Sequence, residues 1–276
     1  MKTPQTQALE LLHPQHRPDG KIRAAIFDFD GTFSTLRCGW EQVMRPLMLE
    51  VLSGGSADAA PAALQREVDE YIDASTGIQT VYQMRWLAQR AQQMGYGVPG
   101  RDEWWYKAEY NRRLMQTVGE RLQRLEAGQD APEQYLICGA VAFLRALHAR
   151  GVALYLASGT DHDDVLHEAA ALGVAQYFTA IQGAPQHRAA CSKEAVLQMI
   201  LTEKQLPGSE LLLVGDGKVE IALGADAGAF TLGAATDEVA RCGLNPVKRE
   251  RLIAAGADAI CGDFTQLDAL LCWLGL

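Results

Sequence analysis

The polarity pattern of this chain changes its period twice. Residues 22–29 form a short apolar run that closes on Asp28-Phe29-Asp30-Gly31-Thr32, the pattern of a strand buried on both faces of a parallel sheet. From about 35 to 132 the apolar positions instead recur every three to four residues, which predicts helices over 41–52, 60–72, 80–94 and 102–125. The third of these carries Val81, Met84, Leu87, Ala88, Ala91 and Met94 on one face. The fourth carries a stripe of Trp104, Ala108, Met115, Val118, Leu122 and Leu125. After Cys138 short apolar runs and helical periods alternate, predicting strands at 152–157, 177–182, 210–214, 229–232 and 259–260. Helices are predicted between and after them, at 141–150, 163–172, 193–204, 219–227, 247–255 and 264–274. Residues 1–20 read as a short leading helix or arm, docked through Leu9, Leu11 and Leu12.

Strands alternating with helices give an α/β fold with a doubly wound parallel sheet. That core occupies 1–36 and 135–276, and an α-helical insertion fills 37–134. A chain of 276 residues with 48% hydrophobic content has room for such a core and a second domain. The net charge of −9 argues against nucleic acid and anionic membranes as partners. No apolar stretch approaches the ~18 residues of a membrane span, and the polar N-terminus has no signal-like core. The six cysteines, Cys38, Cys138, Cys191, Cys242, Cys261 and Cys272, show no C-x-x-C pair and read as reduced packing residues. These features lead to the expectation of a soluble, cytoplasmic protein.

Strand ends and helix starts carry the candidate chemistry. In an open α/β sheet they meet at one edge, where ligands bind. Asp28 and Asp30 close the first strand, and Ser158-Gly159 follows a later one, where a hydroxyl and backbone N–H groups can face an anion. Lys193 opens a helix, and Gly215-Asp216-Gly217 ends a strand, with Glu220 four residues after Asp216. Each has a plainer explanation: turn formers, helix caps or a solvated lysine. Together they suit phosphoryl transfer. Asp28, the Asp30 carbonyl and Asp216 would hold Mg²⁺, supported by Glu220 through a water or through Lys193. Asp28 would attack phosphorus as an ionised carboxylate, and Asp30 would supply and then remove a proton. Gly31, Thr32, Ser158, the Gly159 amide and Lys193 would bind the phosphate oxygens.

These four motifs, in this order, resemble those of the haloacid dehalogenase-like superfamily of phosphohydrolases. The resemblance covers about 22–36 and 135–276. It implies a Rossmann-like core, Mg²⁺, an aspartyl-phosphate intermediate, and a helical cap inserted after the first motif, where 37–134 sits. Asp30 as second carboxylate is similar to the phosphatases and mutases of the superfamily and unlike its dehalogenases. Cap residues near the hinge commonly choose the leaving group in such proteins, which directs attention to Arg37 and to Gln79 in the loop after Ser75. The expected activity is hydrolysis of a small phosphorylated metabolite such as a sugar, cyclitol or polyol phosphate. A phosphomutase using the same residues is the nearest alternative, and a non-catalytic phosphometabolite-binding module is the alternative of another class.

Overall fold

A computed structural model describes residues 9–185 and 192–276. Seven strands form one sheet: β1 (Glu10–Leu11), β2 (Ala24–Phe27), β3 (Ala153–Asp161), β4 (Ala180–Ala184), β5 (Leu211–Gly215), β6 (Phe230–Ala234) and β7 (Ala259–Cys261). Their order is β1-β7-β6-β5-β2-β3-β4, and all neighbours are parallel except β1, which runs antiparallel to β7. The central strand β2 therefore lies where the order turns back, between β3 and β5. Phe27 is level with both Leu156 and Val214.

Four helices fill the insertion: α1 (Trp40–Ser53), α2 (Ala62–Ala74), α3 (Thr80–Gln93) and α4 (Glu103–Glu126). The core contributes α5 (Ala140–Ala149), α6 (His162–Ala171), α7 (Ser192–Thr202), α8 (Lys218–Asp226), α9 (Pro246–Ala254) and α10 (Leu267–Leu274). Side chains alternate across β2. Ala25 and Phe27 join the layer containing Phe143 of α5 and Trp273 of α10, while Ala24 and Ile26 join Val196, Leu197 and Ile200 of α7. The result is three layers, helix on sheet on helix, in agreement with the doubly wound expectation.

The insertion leaves and returns through a paired neck. The Thr35 amide donates to the Tyr135 carbonyl at 2.8 Å and the Ile137 amide to the Phe33 carbonyl at 2.9 Å. Arg121 of α4 reaches down to donate to the Cys38 carbonyl at 2.9 Å. These bonds occupy backbone groups that would otherwise be buried without partners.

Three expectations need correction. The leading segment, expected as a short helix or arm, contains β1 and no helix among its described residues, because Glu10 and Leu11 complete the open edge of β7. In α4 the stripe is right toward its C-terminal end, at Val118, Leu122 and Leu125. Toward its start the buried face is Tyr106, Tyr110 and Leu114, while Ala108 is exposed and Trp104 and Met115 are only half-buried, Met115 still packing against the core. Tyrosine rings behave there as apolar bodies with a polar tip, which a simple apolar count overlooks. Finally, Cys138 and Cys242 are joined by a disulfide, with Cα atoms 5.3 Å apart across 104 residues of sequence. The Cys138 amide donates to the Arg241 carbonyl at 2.8 Å, so backbone pairing brings the two thiols together. Cysteine usage therefore no longer argues for a reducing compartment. Cys38, Cys261 and Cys272 are free, and Cys191 lies outside the described residues. No helix among the described residues is long and apolar enough to cross a membrane.

Phe27 ties the strand that carries Asp28 to this core. It is fully buried, with ring centroids 5.0 Å from Phe33 and 6.2 Å from both Phe143 and Phe178. Phe27→Ala should lower the unfolding free energy by ~3–5 kcal/mol through lost transfer and the cavity left behind. Urea titration followed by circular dichroism measures this, and a loss below ~1 kcal/mol would contradict the packing described.

Candidate active site

The residues after β2 and β5 and the last residues of β3, which runs on past the expected end at 157, meet in one cleft of about 110 Å³. The Asp28 amide donates to the Val214 carbonyl at 2.9 Å, extending the strand pairing to the first carboxylate. The chain then tightens: the amides of Phe33 and Ser34 both donate to the Phe29 carbonyl at 3.0 Å. Gly31 sits inside this turn at φ +75°, where a Cβ would lie 2.4 Å from Asp216 Oδ2. The turn thus needs glycine for conformation and for space.

Asp28 is buried and its Oδ1 lies 3.1 Å from Lys193 Nζ. The same ammonium donates to Glu220 Oε2 at 2.8 Å, and Glu220 Oε1 accepts from the Gly217 amide at 2.6 Å. Both Glu220 oxygens are therefore engaged by the protein. Lys193 reaches this position from the first turn of α7, and the two carboxylates hold its pKa above the ordinary lysine value despite burial. Burial pushes the Asp28 carboxyl well up; Lys193 opposes this, and Glu220, Asp216 and Asp30 add to it.

Asp30 is held by hydroxyls on one side only. Thr160 Oγ1 donates to its Oδ2 at 2.8 Å and Ser158 Oγ at 3.3 Å, and the Thr160 amide donates to Ser158 Oγ at 3.0 Å. Asp30 Oδ1 is buried with no hydrogen-bond partner among the described residues. Burial raises the Asp30 pKa, with Arg37 the main opposing charge.

Asp28, Asp216 and Glu220 each offer an oxygen within 4.8 Å of the other two. Asp216 accepts from Lys248 at Oδ2, 2.6 Å away, and at Oδ1 has only a 3.4 Å contact from Thr32 Oγ1. Lys248 also donates to Glu238 Oε1 at 2.7 Å. Asp28, Asp30, Asp216, Glu220 and Glu238 thus share a site with Lys193 and Lys248, an excess of negative charge in buried surroundings. An all-oxygen, carboxylate-rich set of this kind fits a hard divalent cation such as Mg²⁺.

The structure brings Asp28, Asp30, Gly31, Ser158, Gly159, Lys193 and Asp216 to the same cleft. Thr32 and Glu220 stand behind it, on Asp216 and Lys193. Arg37 lines the cleft, but its guanidinium is engaged by Glu168 at 2.6 and 3.0 Å and by Asp164 at 3.0 Å, and it approaches Asp30 Oδ1 at 4.0 Å. Gln79 precedes α3 and lines an adjoining apolar cleft with Tyr82 and Val219. Gln83, one turn later, is the glutamine in the main cleft. Sequence reasoning did not single out Lys248, Glu238, Thr160, Glu168 or Gln83. The helical period of α3 could have found Gln83, a polar residue among buried ones. The others meet the site only through the fold.

The family model for haloacid dehalogenase-like hydrolases matches residues 22–228, and the chain belongs to that family. No curated protein matches the sequence significantly. Among solved structures, the chain is similar to a predicted phosphoglycolate phosphatase from Haemophilus somnus, at 18% identity and TM-score 0.60, covering 91% of this chain and 98% of that one. It is also similar to a β-phosphoglucomutase from Clostridium difficile, at 15% identity and TM-score 0.55, covering 89% and 93%. A hydrolase from Pseudomonas syringae aligns at 17% identity and TM-score 0.56, covering 91% and 98%. At these identities the likeness is one of fold.

Two predictions follow from the charge arrangement. Lys248→Met leaves Asp216 and Glu238 without their cation and should destabilise the protein by ~3–5 kcal/mol in chelator. Mg²⁺ should then raise the variant's unfolding midpoint more than the wild type's; equal shifts by scanning fluorimetry would rule out Lys248 as the counter-charge. Burial also raises Glu168 to about 7 against the pull of Arg37, from an ordinary value of 4.5. The folded chain holds this proton more tightly than the unfolded one. Its stabilisation is therefore complete below about pH 4.5 and is lost as pH rises through about 7. Between pH 5 and 8, wild-type stability should decline more steeply than that of Glu168→Gln in denaturant titrations.

Proposed function

From this family membership and site, we propose that the protein is a Mg²⁺-dependent phosphatase of a small phosphorylated metabolite, a sugar, cyclitol or polyol phosphate, acting through an aspartyl-phosphate on Asp28. We take 37–134 as a cap over a core formed by 1–36 and 135–276. The observation that carries the reading is the pair of carboxylates at the end of β2. Asp28 faces Lys193 and Asp216, and Asp30 Oδ1 lies beside it without a hydrogen bond among the described residues.

In this scheme Lys193 holds Asp28 Oδ1, so that Oδ2 is the oxygen that attacks phosphorus. As the new bond forms, the bond from phosphorus to the leaving oxygen breaks, and Asp30 gives that oxygen a proton through Oδ1. Asp30 then takes a proton from water. The water oxygen bonds to phosphorus, the phosphorus–Asp28 bond breaks, and inorganic phosphate leaves. Ser158, the Gly159 amide and Lys193 bind the transferring oxygens, and Gly31 and Thr32 shape the near side of the loop. Asp28, the Asp30 carbonyl and Asp216 would hold Mg²⁺, which when bound neutralises charge on the phosphate oxygens. Glu220 supports that set by fixing Lys193.

The test is phosphate release from p-nitrophenyl phosphate and from a hexose phosphate panel, with isomer formation followed in parallel. Release should require Mg²⁺, stop in EDTA and fall below detection in Asp28→Asn. Full activity in chelator or in that variant would remove the mechanism, and isomer formation without net phosphate release would identify a mutase.

A further inference from the structure

Apart from Arg37, the cap-side wall of the cleft is made of uncharged groups. Trp40, Ile78 and Leu114 supply apolar surface, and Thr80, Gln83 and Tyr110 supply polar atoms. Every residue of 37–134 is described, and within that span Arg37 is the one cation lining the cleft. Its charge is spent on Glu168 and Asp164, inside a cluster that also contains Asp30. From the phosphate outward, the wall is therefore neutral to negative. We propose that the leaving group of the substrate is an uncharged polyhydroxylated moiety, and that Gln83 and Tyr110 are the residues that recognise its hydroxyls. This rests on the phosphatase reading and narrows it.

Gln83 is buried in the interior of α3, and its amide nitrogen donates to Ser75 Oγ at 3.1 Å and the Ser75 carbonyl at 3.4 Å. That fixes the amide and leaves its carbonyl oxygen without a donor among the described residues. Tyr110 is buried to 4% exposure on α4, and its hydroxyl has no hydrogen-bond partner among the described residues. The charges acting on that hydroxyl are Arg37, Glu41 and Asp30, so it belongs to the same corner as the proposed acid. Both residues line the cleft, so these polar atoms are free to take up the hydroxyls of a ligand. An acceptor on Gln83 and a donor or acceptor on Tyr110, set among apolar side chains, match a carbon chain or ring bearing hydroxyls. A carboxylate or second phosphate would find no free cation on this wall and would meet Glu238 at the cleft.

The experiment compares kcat/KM with Mg²⁺ for glucitol 6-phosphate, fructose 1,6-bisphosphate, 2-phosphoglycolate and p-nitrophenyl phosphate, in wild type, Gln83→Leu and Tyr110→Phe. In wild type the neutral polyol ester should exceed both doubly anionic esters by at least ~10-fold. Each variant should lose roughly 10-fold on glucitol 6-phosphate, appearing mainly in KM, and several-fold less on the aryl ester, which has no hydroxyl to recognise. Equal or better turnover of the bisphosphate or the carboxylate overturns the proposal, as does an equal loss, or no loss, on the two esters in both variants. If no ester is hydrolysed, the aryl one included, the phosphatase reading itself fails. Hydrolysis of the aryl ester with a preference for charged leaving groups refutes this inference alone.

Discussion

The structure depends on how it neutralises buried acid. Three cations, each brought from a different part of the chain, stand between carboxylates that could not otherwise share one low-dielectric region. Lys193 joins Asp28 to Glu220, Lys248 joins Asp216 to Glu238, and Arg37 joins Glu168 to Asp164. A buried ion pair contributes little net stability compared with an apolar substitute, yet losing one partner is severe. The three clusters therefore tie α7, α9 and the entry to the insertion into a fixed relation with β2. They also keep the site's negative charge in excess, which suits a chemistry that needs a divalent cation and a polyanionic group together.

The division of labour between the two aspartates follows from their surroundings. Asp28 is coupled to a lysine and to other carboxylates, so its charge is answered from inside the core. Asp30 is answered by two hydroxyls on one oxygen, and its other oxygen has no hydrogen bond among the described residues and only Arg37, 4.0 Å away, as counter-charge. Two identical side chains, two residues apart, thus meet different partners and different geometries.

Much of this was legible in the sequence because it is local. Apolar runs closing on Asp28, Ser158 and Asp216 identify strand ends, and a parallel sheet necessarily gathers those ends on one edge. The helical period located α1 to α4 within a few residues. What the sequence hid is non-local. Lys248 reaches Asp216 only because α9 folds back beside β6, and Glu168 meets Arg37 across 131 residues. Arg37 lines the cleft, and two carboxylates on α6 engage its donors. Gln79 and Gln83 differ by one helical turn, so only the packing of α3 decides which of them faces the main cleft. The Cys138–Cys242 bond is likewise a product of loop pairing, with no spacing signal to announce it.

The paired neck carries a consequence for how such a protein changes over time. Phe33 and Thr35 on the outgoing strand are hydrogen-bonded to Ile137 and Tyr135 on the returning one. The two ends of the insertion are thereby held side by side by core backbone alone, whatever lies between them. Mutation can lengthen, shorten or exchange the intervening hundred or so residues without altering the register of β2 or the placement of Asp28, since insertions between adjacent, anchored chain ends are readily tolerated. The sheet edge can stay old while the inserted segment is young.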